Sequence, residues 1–344
     1  MNPEENDTVD LSDELIEHFR FEVDKGQSPL RIDKFISEKL PAVSRNRIQN
    51  AAEAGNILVN GKPVKSSYKV RGNDLIRIVL PQPIWEHKAV PEDIPIDIIY
   101  EDDEILLVNK KAGMVCHPGH GNYTGTLVNA ILYHCKDLPE INGETRPGLV
   151  HRIDKNTSGI IIIGKTEHAL NHLAKQFYDR TIERNYTALV WGDLKEEQGR
   201  IACNIARNPN NRKVFSAVPD GSAGKWAATT YEVIKRYGYV TLVRCKLETG
   251  RTHQIRVHMK YIGHTLFNDF TYGGDKILAG TVYSKYKQFI DNCFEIMPYH
   301  ALHAQTLGFV HPRTHEKMFF EVPLPANFQQ LLEKWESYAK GFNL

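Results

Sequence analysis

The 344-residue chain has few cysteines, no long apolar run and almost no net charge. Its five cysteines, Cys116, Cys135, Cys203, Cys245 and Cys293, are scattered, odd in number and form no C-x-x-C pair. That argues against a disulfide framework or a zinc site and for a reducing, cytoplasmic setting. The longest purely aliphatic stretch, Ile160–Ile163, is far too short to span a membrane, and no amino-terminal segment reads as a signal peptide. No G-x-G-x-x-G or P-loop pattern occurs, so no nucleotide cofactor is expected. His253 and His258 lie five apart, and positions i and i+5 do not share a helix face, so no metal is expected either.

The formal net charge of +1 hides a strong segregation. Residues 1–28 carry a net −7, residues 29–81 a net +6, residues 82–104 a net −7 and residues 244–260 a net +4. Basic segments set apart in this way are the electrostatic footprint of a polyanion partner. Taken singly, each is also compatible with the solvated face of a helix.

These charge steps divide the chain into an acidic extension (1–28), a small basic module (29–90), a proline-marked linker (91–95) and a large domain (96–344). Pro81, Pro83, Pro91 and Pro95 stiffen the junction. In the module, Leu30, Ile32, Phe35, Ile36 and Leu40 have helical spacing, and Pro41 ends the helix. Ser44 caps a second helix, Arg45 to Ala54, with Gly55 as its stop. Ile57–Val59, a tight turn at Asn60-Gly61 and Leu75–Leu80 read as strands. In the large domain, strands are expected at 96–99, 105–108, 160–163, 184–191 and 230–247, the last broken near Gly238 into a hairpin, with helices at 127–133, at 167–180 and over the stretch that holds Ile255, Met259 and Ile262 and stops at Gly263. Residues 275–297 read as a helical insertion. Strands that do not alternate regularly with helices indicate an α+β fold with a mixed, mostly antiparallel sheet.

Two stretches carry chemistry. Gly148-Leu-Val-His-Arg-Ile-Asp-Lys-Asn-Thr-Ser-Gly159 places one carboxylate, Asp154, on a polar loop that feeds a wholly apolar strand. A reactive group on a loop anchored in this way is held firmly; the alternative is an aspartate that caps a turn. In the second stretch, Leu247–Met259, His253, Gln254 and Arg256 project from the first turns of a helix whose other face is apolar. Tyr186 lies in a strand and reads either as a functional aromatic or as a cross-strand core residue.

Leu30–Ile36, Ser44–Gln49 and Gly55–Lys62 together resemble an S4 RNA-binding domain. The resemblance implies that Arg45, Arg47 and Lys62 contact phosphates, which fix position without reading sequence. The loop at 148–159, Arg184-Asn185-Tyr186-Thr187-Ala188, the stretch at 249–258 and Ala301–Ala304 with Leu307–Phe309 resemble, in order, motifs of the RluA/RluD-type pseudouridine synthases. Ile153 stands where leucine is usual, and Arg184 where lysine is more usual. The resemblance implies Asp154 as the catalytic carboxylate, Arg256 as its basic partner and Tyr186 as the aromatic that packs on the target base. It further implies that Arg152 fills the space left by a flipped uridine, and that His151, Arg251 and Gln254 contact RNA. No cofactor follows, because one bond is broken and another made within one substrate. The implied partner is large-subunit ribosomal RNA or a pre-ribosomal particle, with transfer RNA as an alternative target.

Two other classes are compatible with parts of the pattern: a catalytically silent RNA-binding assembly factor, and a glycosidase using paired carboxylates. The full set of Asp154, Tyr186 and Arg256 argues against the first. The lack of a second carboxylate at suitable spacing from Asp154 argues against the second.

Overall fold

Alternating apolar and polar side chains in Leu75–Leu80 make a strand that buries Ile76 and Ile78 and turns Arg77 outward. In the computed structural model this strand is the centre of the first of two units, Met1–His87 and Lys88–Leu344. The structure describes residues 16–40, 43, 45–80, 89–119, 122–135, 138–139, 147–208, 211 and 214–342. Pro41, Ser44, Pro81 and Pro83 lie outside them, as does the side chain of Arg47.

The first unit runs β1 (Ile16–Glu22), β2 (Leu30–Arg31), α1 (Ile32–Lys39), α2 (Arg45–Glu53), β3 (Ile57–Val59), β4 (Lys62–Pro63), β5 (Lys69–Val70) and β6 (Leu75–Leu80). The main sheet has the order β1-β6-β3-β4. Strand β1 comes from the acidic segment, whose charge gave no sign of a strand; it pairs along the length of β6, and Glu17 forms an ion pair with Arg77. Phe35 and Ile36 of α1 and Ile48 and Ala52 of α2 close the core against Ile57, Val59, Ile76 and Ile78. The β3–β4 turn holds Asn60 and Gly61 at φ of 50° and 81°, a left-handed pair suited to a tight hairpin.

The second unit continues with β7 (Ile98–Glu101), β8 (Ile105–Lys110), α3 (Leu127–His134), β9 (Ser158–Gly164), α4 (Glu167–Asp179), β10 (Glu183–Trp191), β11 (Gln198–Arg207), β12 (Phe215–Val218) and β13 (Lys225–Arg236). It ends with β14 (Val240–Leu247), α5 (Gln254–Tyr261), α6 (Ser284–Ile296), β15 (Leu302–Val310), β16 (Lys317–Glu321) and α7 (Ala326–Phe342). Among the described residues, ten strands form one sheet in the order β12-β11-β13-β14-β10-β15-β9-β8-β7, with β16 paired to β15. The fold is α+β and the sheet is mostly antiparallel, as expected; the β15–β9 pairing is parallel. Strands β11 and β12 were not anticipated: β11 alternates exposed and buried positions, but Ala202 and Ala206 on its less buried side blur the apolar–polar contrast in the sequence.

Every residue of β9 is buried. Ile161 and Ile163 join a cluster on one face of the sheet, Ile160 and Ile162 a cluster on the other, where α4 supplies Ala169 and Leu173. A strand covered on both faces reads as a continuous apolar run, which explains the isoleucine string. At its start, Gly159 has φ 121°, and a Cβ there would lie 2.2 Å from the Ala304 carbonyl oxygen. The parallel seam therefore requires glycine. Helix α6 occupies part of the 275–297 segment and buries Tyr286, Ile290 and Cys293 against Trp335 and Phe267. Among the described residues, no helix is long and apolar enough to cross a membrane.

Candidate active site

The loop before β9 is shaped by its own backbone. The Thr157 amide donates to the Asp154 carbonyl at 3.1 Å, so the turn closes without the aspartate side chain. The turn-capping reading of Asp154 therefore does not hold, and its carboxylate is free to point across the site. Thr157 and Ser158 tie the loop down through His300 Nε2 and His303 Nδ1, each at 2.8 Å. Both histidines are buried, and burial lowers their pKa to about 4, so both are neutral at pH 7.

Asp154 accepts a hydrogen bond from Arg256 Nη1 at 3.0 Å. Arg256 sits in the first turn of α5, whose apolar residues Ile255 and Met259 anchor that helix in the core. The other two guanidinium nitrogens belong to Asp269: Nε donates to Oδ2 at 2.7 Å and Nη2 to Oδ1 at 2.8 Å. Asp269 is fully buried, and the Arg256 guanidinium also lies over the Tyr272 ring at 4.9 Å. Burial alone would lower the Arg256 pKa, but the bond to Asp269 and the charges of Asp269 and Asp154 raise it, so the guanidinium stays charged.

For Asp154, burial pushes the pKa up; the charges of His253 and Arg256 and the Arg256 bond outweigh it, and the net shift is downward. His253 Nε2 lies 3.8 Å from the carboxylate, but burial lowers the pKa of His253 itself. The standing positive charge at neutral pH is therefore Arg256. The result is an ionised carboxylate, about one-fifth exposed, at the wall of a cavity of about 790 Å³.

Tyr186 lines the same cavity from β10, between Cys245 of β14 and Ala304 of β15. Burial raises its pKa against the opposing charge of Arg184, which keeps the hydroxyl protonated. Arg152 is exposed at the mouth, with Nη1 2.9 Å from His117 Nε2. Arg251 lines the rim and donates through Nε to the Trp226 carbonyl at 3.1 Å. His151 and Gln254 also line the cavity but are engaged internally. The Ile162 amide donates to His151 Nε2 at 3.1 Å, its ring stacks on Phe177, and burial lowers its pKa to about 3. Gln254 Oε1 accepts from Thr249 Oγ1 and the Arg251 amide, while Nε2 donates to the Ala228 carbonyl and Thr229 Oγ1. With its amide saturated, Gln254 holds the 249–251 turn in place.

His258 is buried and hydrogen-bonds Thr229, whereas His253 bonds Tyr272, so the two histidines do not converge. In the first unit, Arg45 is exposed but reaches the fully buried Asp33, which also takes Arg31 and Gln49. Lys62 is exposed on β4.

Two contributors escaped sequence reasoning. Asp269 carries little signal beyond an acid between Phe267 and Phe270, in a loop that closes at Gly273-Gly274. Lys110, at the end of β8, is buried and donates to the carbonyls of Lys111, Met114 and Lys155. Burial lowers its pKa to about 8 against the charges of Cys116 and Asp154. A lysine closing an apolar strand was its one visible trace.

Comparison with known proteins bears directly on this arrangement. Residues 104–261 match the RNA pseudouridylate synthase family model, and residues 30–76 match the S4 domain model. An uncharacterized RNA pseudouridine synthase from Chlorobaculum parvum is 48% identical, over 91% of this chain and 96% of that protein. The chain belongs to the RNA pseudouridine synthase family. As a member, it is an isomerase that converts uridine to pseudouridine in RNA. Family members named ribosomal large subunit pseudouridine synthase D, from Zymomonas mobilis and Neisseria meningitidis, are 40% and 41% identical over 88% of this chain, covering 93% and 78% of their own lengths. Human RNA Pseudouridylate Synthase Domain Containing 1 is similar in structure, with a TM-score of 0.51 and 24% identity over 72% of this chain and 96% of that one; this likeness concerns the fold alone.

Proposed function

We propose that this pseudouridine synthase acts on large-subunit ribosomal RNA in the cytoplasm, with Asp154 as its catalytic carboxylate. The observation that carries the assignment is the Arg256–Asp154 contact at 3.0 Å on the wall of the cavity that Tyr186 also lines. The reaction breaks the N1–C1′ bond, turns the uracil and forms a C5–C1′ bond; C5 loses a proton and N1 gains one. An ionised carboxylate serves such chemistry as nucleophile, as a stabiliser of positive charge at C1′ or as a base. Arg256 keeps it ionised. Tyr186 offers a face for the base and a protonated hydroxyl for proton transfer.

A uridine in folded RNA must leave its stack, at a cost of a few kcal/mol. Arg152, exposed at the mouth, fills the vacated space and pairs with phosphate. Arg251 meets the backbone at the rim. His151 and Gln254 act through the loop and turn they hold. The S4 module, residues 29–90, brings the RNA through Lys62, Arg45 and Arg47, and the catalytic domain spans 96–344. The choice of ribosomal RNA is supported by the names of the two relatives called ribosomal large subunit pseudouridine synthase D.

The test is Asp154→Asn with carbodiimide mapping of ribosomal RNA. Turnover should fall by at least about 10³-fold, roughly 4 kcal/mol of barrier, while RNA binding persists. A variant with the wild-type rate removes Asp154 from the mechanism. Ribosomal RNA that is unchanged in cells lacking the gene, with transfer RNA altered instead, moves the substrate.

A further inference from the structure

Beside the cavity lies an aromatic surface that the reaction does not use. Trp226, on β13, is 41% exposed. The guanidinium groups of Arg180 and Arg200 each lie 5.7 Å from its ring centroid. Arg200 is neutralised by a two-bond contact with Glu248 at 2.7 and 2.8 Å. Arg180 and the neighbouring Arg184 form no salt bridge among the described residues, and Arg184 Nε is buried without a hydrogen-bond partner. Arg180 also stands in the left-handed position at the end of α4, where glycine or asparagine is usual. Arg180, Arg184 and Arg251 all line the cavity that holds Asp154, and Arg251 is bonded to the Trp226 carbonyl. The aromatic surface is therefore continuous with the site.

We propose that Trp226, with Arg180, Arg184 and Arg251, forms a shelf for a single-stranded nucleotide flanking the target uridine: the base takes the place of the Arg180 guanidinium over the indole, and its phosphates lie among the three arginines. This rests on the reading that RNA enters the cavity. An exposed indole suits any base, since every base has a π face. Guanidinium groups that form no salt bridge suit phosphate, and Arg180 acts on Glu248 only through its charge. A shelf of this kind grips the strand on one side of the extruded uridine and contributes little sequence preference of its own.

The full-length protein is titrated with a 15-nucleotide oligouridylate and with an abasic ribose-phosphate chain of equal length. Trp226→Ala should weaken oligouridylate binding about tenfold, the loss of one stack, and leave the abasic chain unchanged. Trp226→Phe, which keeps an aromatic face, should bind oligouridylate almost as tightly as wild type. Arg180→Ala should weaken both chains and reduce the salt slope by about 0.7, one phosphate contact on a single strand. Equal oligouridylate affinity for wild type and Trp226→Ala overturns the shelf, as does an equal loss on both chains. The functional reading fails separately: a protein that binds oligouridylate through Trp226 yet forms no pseudouridine in ribosomal RNA keeps the shelf and loses the assigned substrate.

Discussion

Arg256 gives Asp154 one of its guanidinium nitrogens, at 3.0 Å, and commits the other two to the buried Asp269. One cation thus serves two carboxylates of different exposure. Asp269 is sealed from solvent and fixes the direction of the arginine; Asp154 faces the cavity. Asp269 is therefore locked away from water and substrate and does not serve as the second carboxylate of a glycosidase pair.

Asp269 should accordingly be a positioning residue. Asp269→Ala leaves a buried guanidinium with a single partner, and breaking such a pair costs about 3–5 kcal/mol. A thermal melt should register this. Asp269→Asn should fold better and lower kcat with little change in KM, since only the aim of Arg256 is disturbed.

Tyr186→Phe separates the two uses of the ring. The phenyl face remains, so RNA affinity should be unchanged. If the hydroxyl moves a proton, turnover should drop by at least about 10²-fold, the lower end for general acid–base catalysis. Single-turnover rates measured beside binding affinities will show the split; unchanged turnover would assign the ring to stacking alone.

Stability should fall as the solution is made acidic. Burial holds His258, His300 and His303 at about 4, against an ordinary value near 6.5. Between those values the unfolded chain takes up protons that the folded protein refuses. The stabilisation is thus complete above about pH 6.5 and is lost as the pH drops toward 4. Each histidine contributes up to about 1.4 kcal/mol per pH unit in that window. Melting temperatures from pH 7 to 5 check the trend, and His303→Gln should flatten it.

Gly159→Ala should be severe for a protein with so small a change. The added methyl group meets the Ala304 backbone at 2.2 Å and must adopt a left-handed φ. The two together should cost at least about 2 kcal/mol. The expected outcome is a lower melting temperature and loss of activity, because the same seam anchors the loop of Asp154.

In the S4 unit, Arg45 and Lys62 should differ. Arg45 is half-exposed and pairs with buried Asp33, so Arg45→Ala should lower stability by about 1 kcal/mol as well as RNA affinity. Lys62→Ala should leave the melt unchanged while flattening the salt dependence of binding. An unchanged salt slope for Lys62→Ala would remove that residue from the RNA surface.

Local pattern was enough for much of this molecule. The isoleucine run had to be a buried strand, Asn60-Gly61 a hairpin turn and Ile255 with Met259 the inner face of a helix, since each follows from periodicity and backbone preference among near neighbours. The motif order likewise marked Asp154, Tyr186 and Arg256. What sequence spacing did not hold is anything made by residues far apart. Asp269 meets Arg256 because the chain returns after α5, and Lys110 reaches the loop of Asp154 because β8 pairs with β9. The same folding made Gln254 and His151 internal braces, because hydrogen-bond partners from β13 and β9 were already in place to take them. A sequence determines which side chains are available and which local elements they favour; only the closed tertiary structure decides which polar atoms are left unpaired for a substrate.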